Sequence, residues 1–181
     1  MCPLAAAAAK GKDILVNKKQ SDFSFGEVED AMMTLLGIQE TRRKALRSRI
    51  QYLQRQGFFG QGGKGRGRRV AYGEDDVRKL ALVLHLARSG LPSQLAITMV
   101  ERHWKTINEP SSDTTRKSGI FAVFRPEAMS EFGEGERSSV EILEAQEIAT
   151  RYITGGSSLA LSAVVIDLST LFRNLEESLG L

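Results

Sequence analysis

Between Phe58 and Tyr72 the chain reads FFGQGGKGRGRRVAY, five glycines interleaved with four cations, Lys64, Arg66, Arg68 and Arg69. Glycines that let a backbone approach closely, set beside cations, are suited to holding phosphate. Three chemistries use that combination: a nucleotide cradle, a flexible RNA-binding tail, and the tip of a DNA-contacting hairpin. The cradle requires G-x-x-x-x-G-K-[ST], with the lysine on the phosphates and the hydroxyl on magnesium. Lys64 does follow Gly63, but Phe58 stands where the first glycine belongs and Gly65 where the hydroxyl belongs, so the cradle is rejected. Glycine-arginine RNA tails are long and repeated, whereas this stretch is brief and framed by Phe58, Phe59 and Tyr72. The pattern favours a hairpin, with Arg69 to Tyr72 as the return strand and Gly60 to Arg68 as its tip.

Other residue types that could do chemistry are poorly placed for it. His85 and His103 fall within helical runs among apolar neighbours, with no Cys, Asp or Glu at ligand spacing. The serines of GGSSLALS lack the G-x-S-x-G elbow of a nucleophile, and the acids between Glu127 and Glu147 are interleaved with glycines as in a solvated loop. Cys2 is the single cysteine, which excludes a disulfide framework and a thiolate metal cluster and fits a reducing, cytoplasmic location. The reading is a non-enzymatic protein without metal or cofactor. Its apolar runs, such as LALVLHLA, are far shorter than the roughly 20 residues that span a bilayer, so no membrane partner is expected.

Charge is segregated along the chain. The net charge is only +3, but residues 1–40 hold four bases and six acids, and residues 73–181 hold eleven bases and sixteen acids. Between them, Thr41 to Tyr72 carries ten bases and no acid. Surfaces that need only solubility mix both signs. An acid-free run is the footprint expected for a polyanion, whose condensed counterions are released on binding.

The elements that position these cations follow from periodicity. Ser24 to Leu36 places Val28, Met32, Leu35 and Leu36 at helical spacing and stops at Gly37. A second helix over residues 41–56 has Leu46, Ile50 and Leu53 on its apolar stripe and Gly57 as its stop. At 100° per residue Lys44, Arg47, Ser48, Gln51 and Arg55 face outward, while Arg42 and Arg49 lie nearer the stripe and reach sideways. Two helices about a glycine turn, the second basic, are the pattern of a helix-turn-helix. Lys44, Arg47 and Gln51 are then candidates for base edges, because lysine or arginine suits guanine and glutamine suits adenine. Arg43, Arg55, Lys64, Arg66, Arg68 and Arg69 are candidates for phosphates. Two further helices are expected, one over GEDDVRKLALVLHLARSG and closed by Gly90, and one opened by Pro92 and Ser93.

Residues 109–118, EPSSDTTRKS, read as a polar linker. Beyond it GIFAVFR and SLALSAVVIDL read as strands, SSVEILEAQEIATRYI is open between strand and helix, and LSTLFRNLEESL reads as a helix striped by Leu168, Leu171, Phe172, Leu175 and Leu179. So small a unit gains by docking on a second copy. The expected organisation is α+β: a loose tail over 1–21, a winged helix-turn-helix over 22–108, a linker over 109–118 and a self-association unit over 119–181.

The stretches FSFGEVEDAMMTLLGI, IQYLQRQGFF and VAYGEDDVRKLALVLHLARSGLPSQLA resemble the DNA-binding domain of the mercury-resistance-regulator (MerR) family and its winged-helix relatives, over less than half of the chain. Tyr52 and Tyr72 match that family's pattern and join the candidate DNA-binding residues. Ile50-Gln51-Tyr52-Leu53 and Val70 depart from it, so its usual arginine contacts are not carried over. The resemblance implies a homodimer on pseudo-palindromic double-stranded DNA, with the second helix in the major groove, and hence a bacterial transcriptional regulator. An excisionase-like or architectural DNA-binding protein remains open, as does an interaction protein whose basic face meets RNA or an acidic protein.

Overall fold

Ser24 sets the point at which the chain turns helical. Its hydroxyl accepts the Glu27 N–H at 3.4 Å, and its own N–H donates to Glu27 Oε2 at 2.7 Å, so two donors at the helix start are satisfied reciprocally. The backbone hydrogen bond holds the Glu27 carboxyl below its ordinary pKa. Helix α1 runs Phe25–Leu35 and closes at Gly37, whose φ of +60° is strained for any residue with a Cβ. The Ile38 N–H returns to the Met33 carbonyl at 2.9 Å, a pattern that seals the last turn. A single 3-10 turn, Glu40–Arg42, leads into α2, Arg43–Arg55, which buries Leu46, Ile50 and Leu53.

The computed structural model describes residues 22–58, 71–111, 119–124, 140–150 and 163–181. Strand β1, Phe23–Ser24, pairs antiparallel with β2, Ala71–Tyr72, placing Phe23 opposite Tyr72. Among the described residues, the end of the expected return strand thus pairs with the segment ahead of α1. Both paired rings are buried, which gives the pairing its apolar reason. The expected hairpin tip, Gly60 to Arg68, lies outside the described residues.

Helix α3, Glu74–Arg88, buries Val77, Leu80, Ala81, Leu82, Val83, Leu84 and Leu86. Apolar side chains on more than one face require neighbours on more than one side, and α1, α4 and α6 supply them. Helix α4 runs Ser93–Ser111, so it continues past Glu109, where the linker was expected to begin.

Strand β3, Ile120–Phe124, lies between β4, Val140–Glu144, and β5, Val164–Asp167, both antiparallel to it. The segment left open between strand and helix is a strand followed by the short helix α5, Ala145–Ile148. Asp167 then caps α6, Leu168–Leu179, accepting the Thr170 N–H at 2.9 Å. The chain is α+β, with six helices and two small antiparallel sheets among the described residues.

The apolar stripe of α6, expected to serve self-association, is covered by its own chain. Leu168, Leu171, Phe172 and Leu175 are buried in the same core cluster as Val28, Ile50, Leu80 and Met99, and α6 packs on α1 and α3. Arg78 of α3 reinforces this docking: it pairs with Glu176 at 2.6 Å and its guanidinium carbon stands 5.6 Å from the centre of the Phe172 ring. A piece too small to close its own core is docked within the chain. Phe172→Ala is expected to cost about 3–5 kcal/mol in urea unfolding. A chain ending at Pro110, which lacks α6, is expected to lose the cooperative transition of the remaining helices by circular dichroism. Full stability of that truncated chain would show that the α6 contacts with α1 contribute nothing.

Candidate nucleic-acid interface

Helix α2 contains no acid of its own, yet two of its cations are neutralised from outside it. Glu29 of α1 is 1% exposed, and its carboxylate accepts two bonds from Arg47, from Nε at 2.9 Å and from Nη2 at 2.6 Å. Arg43 donates to Glu40 at 2.6 Å and to Asp30 at 2.5 Å, and reaches Glu29 at 3.4 Å. These bonds raise the pKa of both guanidiniums, chiefly through Glu40 for Arg43 and through Glu29 for Arg47. A carboxylate removed from water needs such partners, and a planar guanidinium gripping both of its oxygens fixes an angle as well as a distance.

Arg47, a candidate for reading bases, is therefore engaged with α1, and Arg43 is engaged with three acids. Tyr72 is 1% exposed, with its hydroxyl taking a hydrogen bond from Gln54 and its ring centre 6.4 Å from that of Phe25. Its position corrects the expectation that it meets a partner directly: the aromatic ring holds β2 against α1 from inside. Lys64, Arg66, Arg68 and Arg69 lie outside the described residues.

The outward strip of α2 consists of Lys44, Ser48, Gln51, Tyr52 and Arg55, all exposed. Tyr52 is 40% exposed, unusual for so large a ring, and among the described residues the side chains of Lys44, Gln51 and Tyr52 enter no hydrogen bond or ion pair. Arg55 donates only to the Gln51 carbonyl within its own helix, at 3.3 Å. These side chains present two cations, an amide and an aromatic face with no acid between them, a set that suits phosphates and base edges.

The sequence reading missed Glu29 and also Arg88, whose guanidinium donates to the Leu36 carbonyl across the turn between α1 and α2. The signal for Glu29 was present: it stands three residues before Met32 and seven before Leu36, on the apolar side of α1. Burial lowers the pKa of His85 and of His103, with Arg88 and Arg102 adding in the same direction. Among the described residues no three His, Cys, Asp or Glu side chains gather as a metal site, and no helix is long and apolar enough to cross a membrane.

No protein-family model matches the chain, and no curated protein matches it by sequence.

Burial, with Asp76 adding to it, pushes the Tyr72 phenol up from 10.0 to about 12. The neutral phenol is thus the form the fold prefers. Its contribution to stability is fully present below pH 10 and is lost as pH rises through about 12. Ultraviolet titration of the phenols should show one ionising near 12 that moves to the ordinary range on unfolding, and Tyr72→Phe should remove it. Arg47→Ala is expected to lower the melting temperature by stranding the buried Glu29, whereas Lys44→Ala is expected to leave it unchanged, as differential scanning calorimetry would show.

Proposed function

We propose that this chain is a winged helix-turn-helix protein that binds duplex DNA, pairs as a homodimer on a two-fold-related site and acts as a transcriptional regulator. The observation that carries the reading is the acid-free outward strip Lys44, Ser48, Gln51, Tyr52 and Arg55, held on a helix that is buried along its opposite side. Two further features support it. The turn between α1 and α2 is closed by Gly37, as a compact pair of helices requires. Residues 59–70, with their four cations, connect Phe58 to Ala71, and Phe58 and the adjoining Tyr72 are both buried. A basic segment that follows a basic helix in sequence, with a buried residue at each of its flanks, is what a wing calls for.

In this reading Lys44 and Gln51 take base edges, and Arg55 joins Lys64, Arg66, Arg68 and Arg69 on phosphates. Arg47 and Arg43 hold α2 at its angle through Glu29. Pairing of two copies uses a surface other than the α6 stripe, because that stripe lies inside the core.

Fluorescence anisotropy with labelled duplexes tests the proposal. Each phosphate contact contributes about −0.9 to the slope of log affinity against log salt. Arg55→Ala is therefore expected to flatten the slope by about 0.9 on any sequence. Gln51→Ala is expected to weaken a selected site by about 1–3 kcal/mol while leaving random duplex unchanged. A salt-independent signal, or none with any duplex, would remove DNA from the account.

A further inference from the structure

On the flank of α2 away from Glu29, a groove of about 590 Å³ opens between the α1–α2 turn, the first half of α2 and the end of α3. Its apolar lining comprises the half-buried Ile38 and Ala87 and the exposed Ala45, together with the largely covered Leu36, Leu46 and Leu84. Arg42, Arg49 and Arg88 also line it, and no carboxylate is among its lining residues. Arg49 donates to the Ser93 hydroxyl and Arg88 to the Leu36 carbonyl, which anchors two of the three while leaving most of their five N–H donors uncommitted. Arg42 makes no side-chain hydrogen bond or ion pair among the described residues.

Three cations around one apolar floor repel one another unless an anion is present. A bare phosphate would answer the charge but leave the apolar lining wet, and a neutral hydrocarbon would cover the lining but leave the charge. We propose that the groove binds a small organic anion with a compact apolar body, its carboxylate or sulfonate held by Arg42, Arg49 and Arg88 and its body seated on Ile38, Ala45 and Ala87. The volume lies within the roughly 300–1,000 Å³ of ordinary small-molecule sites. Such a ligand would touch the turn and both flanking helices at once. This inference stands apart from the DNA reading, since it concerns the side of α2 and not its outward strip.

The probe is 8-anilinonaphthalene-1-sulfonate, titrated by fluorescence into the full-length protein without DNA, with folding of each variant checked by circular dichroism. One site per chain is expected. The double variant Arg42→Ala, Arg49→Ala should weaken binding by about tenfold or more, the least that losing charge-assisted hydrogen bonds implies. Ala45→Trp keeps every charge, places bulk in the groove from an exposed position, and should abolish binding; Lys105→Ala, which removes an exposed cation on α4, should change nothing. Inorganic phosphate should displace the probe only weakly. Binding that survives Ala45→Trp and the arginine pair would overturn the proposal by placing the probe elsewhere. Phosphate competing as well as an aromatic sulfonate would also overturn it, by making the groove a simple anion site.

Discussion

A carboxylate with 1% of its surface exposed cannot keep its charge without partners, and Glu29 finds them in the helix packed beside it. The bidentate bond from Arg47 fixes more than a contact. Leu46, Ile50 and Leu53 determine which side of α2 is inward, and the Glu29 pair determines where that side sits against α1. With both set, the remaining side chains of α2 have no choice of direction. Arg43 and Arg47 turn toward the acids, Arg42 and Arg49 toward the groove by α3, and Lys44, Gln51, Tyr52 and Arg55 toward solvent. One acid-free stretch of sequence thereby becomes three chemically different surfaces.

Much of this was legible in the sequence where the determining interaction is local. Ser24 and Glu27 form a cap three residues apart, and Gly37 and Gly57 stop helices at positive φ, so the limits of α1 and α2 could be read from neighbouring residues. The outward strip and the sideways reach of Arg42 and Arg49 follow from 100° per residue once the apolar stripe is known. What could not be read was pairing across distance. Glu29 meets cations 14 and 18 residues away across a turn, and periodicity assigns no such partner. An absence of acids within a helix was consequently a weaker sign of a free basic face than it looked, because neutralisation came from another element.

The same limit explains Tyr72 and α6. A matching pattern made Tyr72 a candidate for partner contact, but a pattern does not say that its cross-strand partner is the buried Phe23. An amphipathic stripe states that a helix has a partner without stating which, and the stripe of α6 is answered by α1 and α3 of the same chain. The small C-terminal sheet is then tied to the rest through α6, since the Ile120 N–H of its central strand donates to Ser169 at 2.9 Å.

These two long-range contacts meet on α1. Val28 and Met32 bury one side of it in the core that α6 shares, and Glu29, next in sequence to Val28, orients α2. A displacement of α6 would be passed to α1, on which it packs. The angle between Glu29 and Arg47 would alter with it, because two hydrogen bonds to one planar group tolerate little rotation. The C-terminal helix thus packs on the helix that orients the basic strip, although it contributes no residue to the strip. The strip itself owes its single sign of charge to this arrangement: the acids nearest in sequence, Glu29, Asp30 and Glu40, are drawn to one flank of α2 by Arg43 and Arg47, and the outward face is left with Lys44 and Arg55 unopposed.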